Sequence, residues 1–427
     1  MLYSARVRPS RMETGMQTRK HLITLLCAAS FLATAAIGRQ AHATTNDFSS
    51  AIRLAVDHWL AVQKPSGFLP YGFNFLKDEE SEPDSMSAGN LARQAGTAAV
   101  LADYYALTND PRARPAIKNF LTALDRHSLP IGKSLTQKMI EKTRILSMPF
   151  GRGKIHRALE RLNLLFDKQG PGKVLSPNED YSGAFTGTVA LALLTELRYA
   201  QTSQDDSYSS LRQAWLEGLL LLRIPGGGFR KFPTSIDPTP YSDGEAWLAL
   251  AEYHDHFPQD KRMAEALASV DDSLIKIYGS EFNINFFHWG SMAAAARYAD
   301  SKETKFLEFI KKYTIAFLDS KQQIASYNDC ASAEGVADAL TTLVSAGEGE
   351  SELSGRARAW IAREMTKTKE MQIKPGQKVL VFANARVLAP RLKEFAGSIL
   401  TDRYELKTQV DNTSHCISAM IKLQRQN

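Results

Sequence analysis

From residue 44 onward, apolar positions recur at three- and four-residue spacing, and strand-like alternation is scarce. One unit keeps returning: an Ala/Leu-rich helix, a short polar break containing Asp, then an amphipathic helix. It reads as 88–107, broken at Thr108-Asn109-Asp110, then 112–126. It returns as 183–200, broken at 203–206, then 208–223, and as 243–256, broken at Pro258-Gln259-Asp260, then 262–278. Segments 289–299 with 306–318, and 333–345 with 356–368, continue the series. Two helices remain, 48–63 and 412–425, and if they pair the count closes at six hairpins.

The two helix types differ. The first of each hairpin is apolar nearly all round, as in Ala95-Gly96-Thr97-Ala98-Ala99 and Met292-Ala293-Ala294-Ala295-Ala296, which marks an interior helix. The second carries Lys, Arg, Glu and Gln on one face and suits an outer shell. Six alternations of inner and outer helix predict an all-α fold, an (α/α)6 toroid, with an open superhelical array as the alternative. Uneven repeats and termini able to pair favour the closed ring. Residues 129–178 break the repeat with Gly132, Gly151, Gly153, Gly170, Gly172 and a basic helix at 154–168; they read as an insertion over one end of the ring. Pro225-Gly226-Gly227-Gly228-Phe229 reads as a turn before a short strand, so minor β-hairpins are expected.

Charge changes the picture only at the N-terminus. Of the 52 basic and 46 acidic residues, 46 and 45 lie after residue 43, leaving a net of +1 there, so nothing points to nucleic acid. The basic excess sits in a leader. Arg19-Lys20 precede the apolar run 22–37, and Ala41-His42-Ala43 follows, the order of a secretion signal. Residues 1–43 are therefore expected to be a signal peptide, with Met16 an alternative start, and 44–427 a single domain. A soluble periplasmic or secreted protein follows, without stable membrane insertion after cleavage. Cys27 leaves with the leader. Cys330 and Cys416 remain, and two cysteines in an oxidising compartment predict one disulfide; two separate buried thiols are the alternative.

Asn90-Leu91-Ala92-Arg93-Gln94-Ala95-Gly96-Thr97, Tyr241-Ser242-Asp243-Gly244-Glu245-Ala246 and Phe287-His288-Trp289 resemble segments of the six-hairpin glycosidase superfamily. Within it the chain looks most like a branch related to the C-terminal domain of glucuronyl C5-epimerases, over about residues 47–425. With the leader, the resemblance implies an exported enzyme acting on a polysaccharide or oligosaccharide that contains uronic acid, by hydrolysis, lysis or C5 epimerisation. A non-catalytic carbohydrate-binding or scaffold protein of an envelope polysaccharide system is the alternative. No cofactor is implied, and protein partners are left open.

In a toroid the inner helices run one way, so polar residues at their starts share one mouth. Asn90, Arg93, Glu179, Tyr181, Tyr241, Glu245 and Trp289 are expected to bind substrate. Asp243, His288, Glu334, Asp411 and His415 are the catalytic candidates. A hydrolase needs two carboxylates across the glycosidic bond, for which Asp243, Glu334 and Asp411 come from three inner helices. A lyase or epimerase needs a base at C5 and a cation for the uronate, which His288, His415, Tyr181 or Tyr241 with Arg93 supply. The bland reading stands beside each: Asn90, Asp243 and Asp411 as helix caps, Glu179 and Asp180 as solvated loop charges, His415 as an interior histidine. A zinc site from Cys330, Cys416 and His415 competes with the disulfide; no metal is expected.

Overall fold

The computed structural model describes residues 47–82, 86–131, 172–178, 181–235, 237–321, 325–382 and 385–426. The leader with its cleavage site, most of the 129–178 insertion with its 154–168 segment, and Glu179 and Asp180 lie outside the described residues. Twelve α-helices occur among the described residues: α1 (Ser49–Val62), α2 (Ala88–Thr108), α3 (Ala113–Arg126), α4 (Thr186–Ser203), α5 (Ser209–Leu221), α6 (Pro240–His256), α7 (Lys261–Gly279), α8 (Ile284–Ser301), α9 (Thr304–Ser320), α10 (Cys330–Ser345), α11 (Glu352–Met371) and α12 (Val410–Gln424).

The even-numbered helices form the inner wall. Each packs on the next, and α12 packs back on α2. The ring is closed, an (α/α)6 toroid, and the open superhelical alternative falls. Each outer helix lies on its hairpin partner, with α1 on α12, so the two unpaired helices of the sequence do make the sixth hairpin. Small residues permit this packing: a Cβ on Gly244 of α6 would stand 2.6 Å from Cβ of Trp289 on α8. α2, α4 and α8 stop at Asn109, Gln204 and Lys302, whose φ of 52°, 55° and 58° ends each helix in the left-handed region.

Closure is reinforced at both ends of the chain. The Phe48 amide donates to Gln424 Oε1 at 3.0 Å, and Gln372 Nε2 donates to the Ala51 carbonyl at 2.9 Å. A three-stranded antiparallel sheet in the order β2 (Glu79–Ser81), β1 (Gly72–Asn74), β7 (Lys407–Gln409) pairs Phe73 with Thr408 beside the start of α12. Strands β3 (Ser128–Pro130) and β4 (Lys173–Leu175) pair antiparallel and bracket the insertion, so it leaves and re-enters at one place. A further hairpin, β5 (Val379–Phe382) with β6 (Ala385–Leu388), lies in the link between α11 and α12.

Several inner helices begin earlier than their apolar pattern. Asn283 accepts from the Asn285 amide at 3.0 Å and starts α8 five residues ahead of Trp289. Thr239 caps α6 and Ser87 caps α2, so neither Asp243 nor Asn90 is a cap. Gln409 precedes α12, which places Asp411 inside its first turn. The polar residues at these starts look like loop in sequence because they face a cavity rather than a core. Cys330, the first residue of α10, is disulfide-bonded to Cys416 of α12 with Cα atoms 4.7 Å apart. With both sulfurs bonded to each other, the zinc site through them is ruled out.

Candidate active site

The N-terminal halves of the inner helices surround a cavity of about 540 Å³, a size common for small-molecule sites. α2 contributes Arg93, α6 Tyr241 and Glu245, α8 Trp289, α10 Glu334, and α12 Asp411 and His415. Lys231 stands in its wall and Arg198 of α4 lies deeper. Seven of the sequence candidates thus meet in one space.

Glu245 accepts no hydrogen bond among the described residues, and burial pushes its carboxyl up to about 8, with only the charge of His415 opposing. At neutral pH it is mostly a neutral acid. Its position depends on Gly187 of α4: a Cβ there would sit 1.8 Å from Glu245 Oε2. Asp411 Oδ2 accepts from Arg93 Nε at 2.7 Å, while Oδ1 is buried without a partner. The Arg93 guanidinium also lies 5.3 Å from the centre of the Tyr71 ring. Half-exposed Tyr241 and nearly buried Trp289 line the cavity with aromatic surface. Lys231 Nζ lies 5.5 Å from the centre of the Phe185 ring and forms no ion pair among the described residues.

On one side of the cavity, Glu334 joins two histidines. His415 Nδ1 lies 2.6 Å from Glu334 Oε1, and Ser418 donates to Oε2 at 2.6 Å. His288 Nε2 stands 3.5 Å from the same Oε1, and its ring meets that of His415 edge-on. Burial works to raise the Glu334 carboxyl, but the two imidazoles outweigh it and hold it well below the usual range. Burial lowers His288, whereas for His415 burial is outweighed by the charge and hydrogen bond of Glu334 together with the carboxylates of Asp411 and Glu245, which raise it.

Three described candidates stand elsewhere. Asp243 is fully buried and accepts from the Phe229 amide and the Tyr278 hydroxyl, each at 2.6 Å. It ties the 224–229 turn to α6 and α7. Gly228 makes room for it, since a Cβ there would lie 2.2 Å from Oδ1. Burial pushes Asp243 up to about 6 against these two hydrogen bonds. Asn90 accepts from Gln94 Nε2 at 3.0 Å and lines a separate pocket. Tyr181 donates to the Pro130 carbonyl.

Sequence reading missed Arg198, Gly187 and Ser418. Ser418 had a signal, since it follows His415 by three residues on one helix face. Gly187 interrupts an otherwise favourable helix start, itself a sign of close approach.

Neither a protein-family model nor the sequence of any curated protein matches the chain. Solved structures do. The family 76 α-mannanase of Bacteroides thetaiotaomicron superposes with a TM-score of 0.56 at 11% identity, covering 90% of this chain and 97% of that one. An unsaturated glucuronyl hydrolase specific for heparin gives 0.55 at 12% identity, over 88% and 96%. An inactive α-1,6-mannanase variant of Salegentibacter in complex with α-1,6-mannotetrose gives 0.53 at 10% identity, over 89% and 100%. That variant replaces two adjacent aspartates; the adjacent pairs of this chain, Asp205-Asp206 and Asp271-Asp272, lie before α5 and on outer helix α7. The likeness is one of architecture: the chain shares the (α/α)6 toroid of these enzymes.

Proposed function

We propose that the chain is an exported glycoside hydrolase acting on an oligosaccharide or polysaccharide that contains uronic acid. The observation that carries this reading is Glu245, a carboxyl pushed up to about 8 and facing the cavity that also holds the ion-paired Asp411. Two carboxyls with opposite environments in one cleft suit acid–base division of labour. Glu245 gives its proton to the leaving glycosidic oxygen as the bond to the anomeric carbon breaks. Asp411 acts from the other side, on water or on the anomeric carbon itself. Tyr241 and Trp289 offer faces to sugar rings, and Lys231 offers an ammonium to a uronate carboxylate. The glycosidases among the structural neighbours, one acting on glucuronyl units, agree with this reading. The leader sequence and the disulfide support export. No helix among the described residues is long and apolar enough to cross a membrane.

The test incubates the mature protein with a panel of acidic and neutral polysaccharides. New reducing ends without unsaturated-uronate absorbance are expected, and they should vanish in E245Q. Absorbance would instead mean a lyase, and solvent deuterium uptake without cleavage an epimerase. Binding of the same panel with no turnover would mean a carbohydrate-binding protein.

A further inference from the structure

Glu334, His288 and His415 have a chemistry that neither the acid–base pair nor helix packing uses. They come from three successive inner helices, and one donor atom from each lies within 4.8 Å of the others. His288 is 4% exposed, yet among the described residues neither of its ring nitrogens has a hydrogen-bond partner. A buried, unsatisfied imidazole is costly, and an apolar ring of similar shape would pack without that cost. Its Nε2 is aimed instead at Glu334 Oε1, 3.5 Å away.

We propose that His288, Glu334 and His415 hold one divalent metal ion of the zinc type in the wall of the cavity. Two imidazoles and one carboxylate are a donor set suited to zinc. Bonds of about 2.0–2.2 Å at a tetrahedral ion place neighbouring ligand atoms roughly 3.4 Å apart. The His288–Glu334 contact already has that separation, and the 2.6 Å His415–Glu334 contact reaches it by opening. The orphaned His288 nitrogen then gains a partner. Ser418, donating to Glu334 Oε2 at 2.6 Å, fixes the carboxylate from behind, as outer partners of metal ligands do. The Cys330–Cys416 disulfide ties α10 to α12 next to Glu334 and His415. Both of these residues line the cavity, so the ion enters from it and its fourth position faces a bound sugar. This departs from the sequence expectation of no metal, because no local spacing signals a site assembled from three helices.

The experiment uses the mature, exported full chain, stripped with a chelator, loaded with Zn(II) and desalted. Mass spectrometry of the metal should find about one equivalent. Co(II) in its place should give the visible absorption of a four-coordinate site. Competition with a chromophoric chelator should show H288Q and H415Q weakened about a hundredfold or more, and S418A about tenfold. Circular dichroism checks that each variant folds; if H288Q does not, H415Q decides, because its side chain is 25% exposed. Retention below about a tenth of an equivalent, or equal retention by wild type and H415Q, overturns the proposal. The readout is metal rather than turnover, so a negative result leaves the role of Glu245 standing, and the converse holds too.

Discussion

Both ends of the inner ring hold ionisable groups out of full contact with water, but they match them differently. Toward the C-terminal ends of the inner helices, Arg198 Nη1 donates to Asp103 at 2.7 Å, and its Nε and Nη2 to Glu252 at 2.9 and 2.5 Å. Lys422 pairs with Asp338 at 2.7 Å, and Arg425 reaches Asp103 at 3.3 Å. These pairs join neighbouring inner helices around the ring, α2 with α4, α4 with α6, α10 with α12, and the end of α12 with α2. At the mouth, Glu245 has no hydrogen bond among the described residues, His288 has none at either nitrogen, and Asp411 Oδ1 is buried alone. A buried charge costs several kcal/mol unless it is paired. The chain meets that cost with partners at one end, where the groups brace one another. At the other end the partners are missing, which is what a ligand site looks like before its ligand arrives.

The comparison breaks first at Arg198. R198M leaves the part-buried Glu252 carboxylate without its cation and Asp103 with Arg425 alone, at a cost of about 3 kcal/mol. Urea unfolding should show a much lower midpoint; an unchanged one would mean the pairs do not brace the ring. At the mouth the reverse is expected. E245Q should lower turnover about 10²- to 10⁴-fold, the share of a general acid, without lowering the unfolding midpoint. A variant that unfolds easily but keeps its turnover would move Glu245 into the bracing class.

The pH dependence of stability sharpens the same contrast. The Glu245 carboxyl rises from an ordinary 4.5 to about 8 on folding, so between those values the folded chain holds a proton that the unfolded chain has released. The stability that Glu245 contributes is therefore fully present below about pH 4.5 and falls as pH rises toward 8, by an amount on the order of a few kcal/mol. Asp243, raised from 3.8 to about 6, adds a slope of the same sign at lower pH. E245Q should remove the decline above about pH 6 and leave only the shallower Asp243 slope below it. Unfolding midpoints at intervals of pH check this. An E245Q curve parallel to wild type would show that Glu245 is not held neutral by the fold.

The ring was legible because its cause is periodic. Ala-rich interiors and charged outer faces recur around the ring, and five of the six hairpins are local in sequence. The mouth was legible as a set, since Arg93, Tyr241, Glu245, Trp289, Glu334, Asp411 and His415 do share one cavity. Their division of labour was not. Asp243 and Glu245 lie two residues apart on one helix start, and sequence favours Asp243 as the chemical residue. What separates them lies on other segments: Phe229 and Tyr278 take Asp243 inward, while Gly187 leaves a berth for Glu245 beside the cavity. The brace was invisible for the same reason, because Asp103, Arg198 and Glu252 are 95 and 54 residues apart and each looks like an ordinary surface charge.

The smallest expected effect concerns the cations that line the cavity. Arg93 is committed to Asp411 at 2.7 Å and Arg198 to its two carboxylates, so neither is free to meet an acidic sugar in full. Among the described residues the Lys231 ammonium has only the face of Phe185 as its partner. A charge-assisted hydrogen bond from its ammonium to a uronate contributes about 1.5–3 kcal/mol. K231M keeps an apolar stem over the ring and removes the charge. KM for a uronate-containing substrate should then rise about tenfold or more with kcat little changed, because the contact is made in the ground state and the transition state alike. A neutral substrate of the same length should lose nothing. An equal rise on both substrates would assign Lys231 to the shape of the cavity wall, and the preference for acidic sugars would have to come from elsewhere at the mouth.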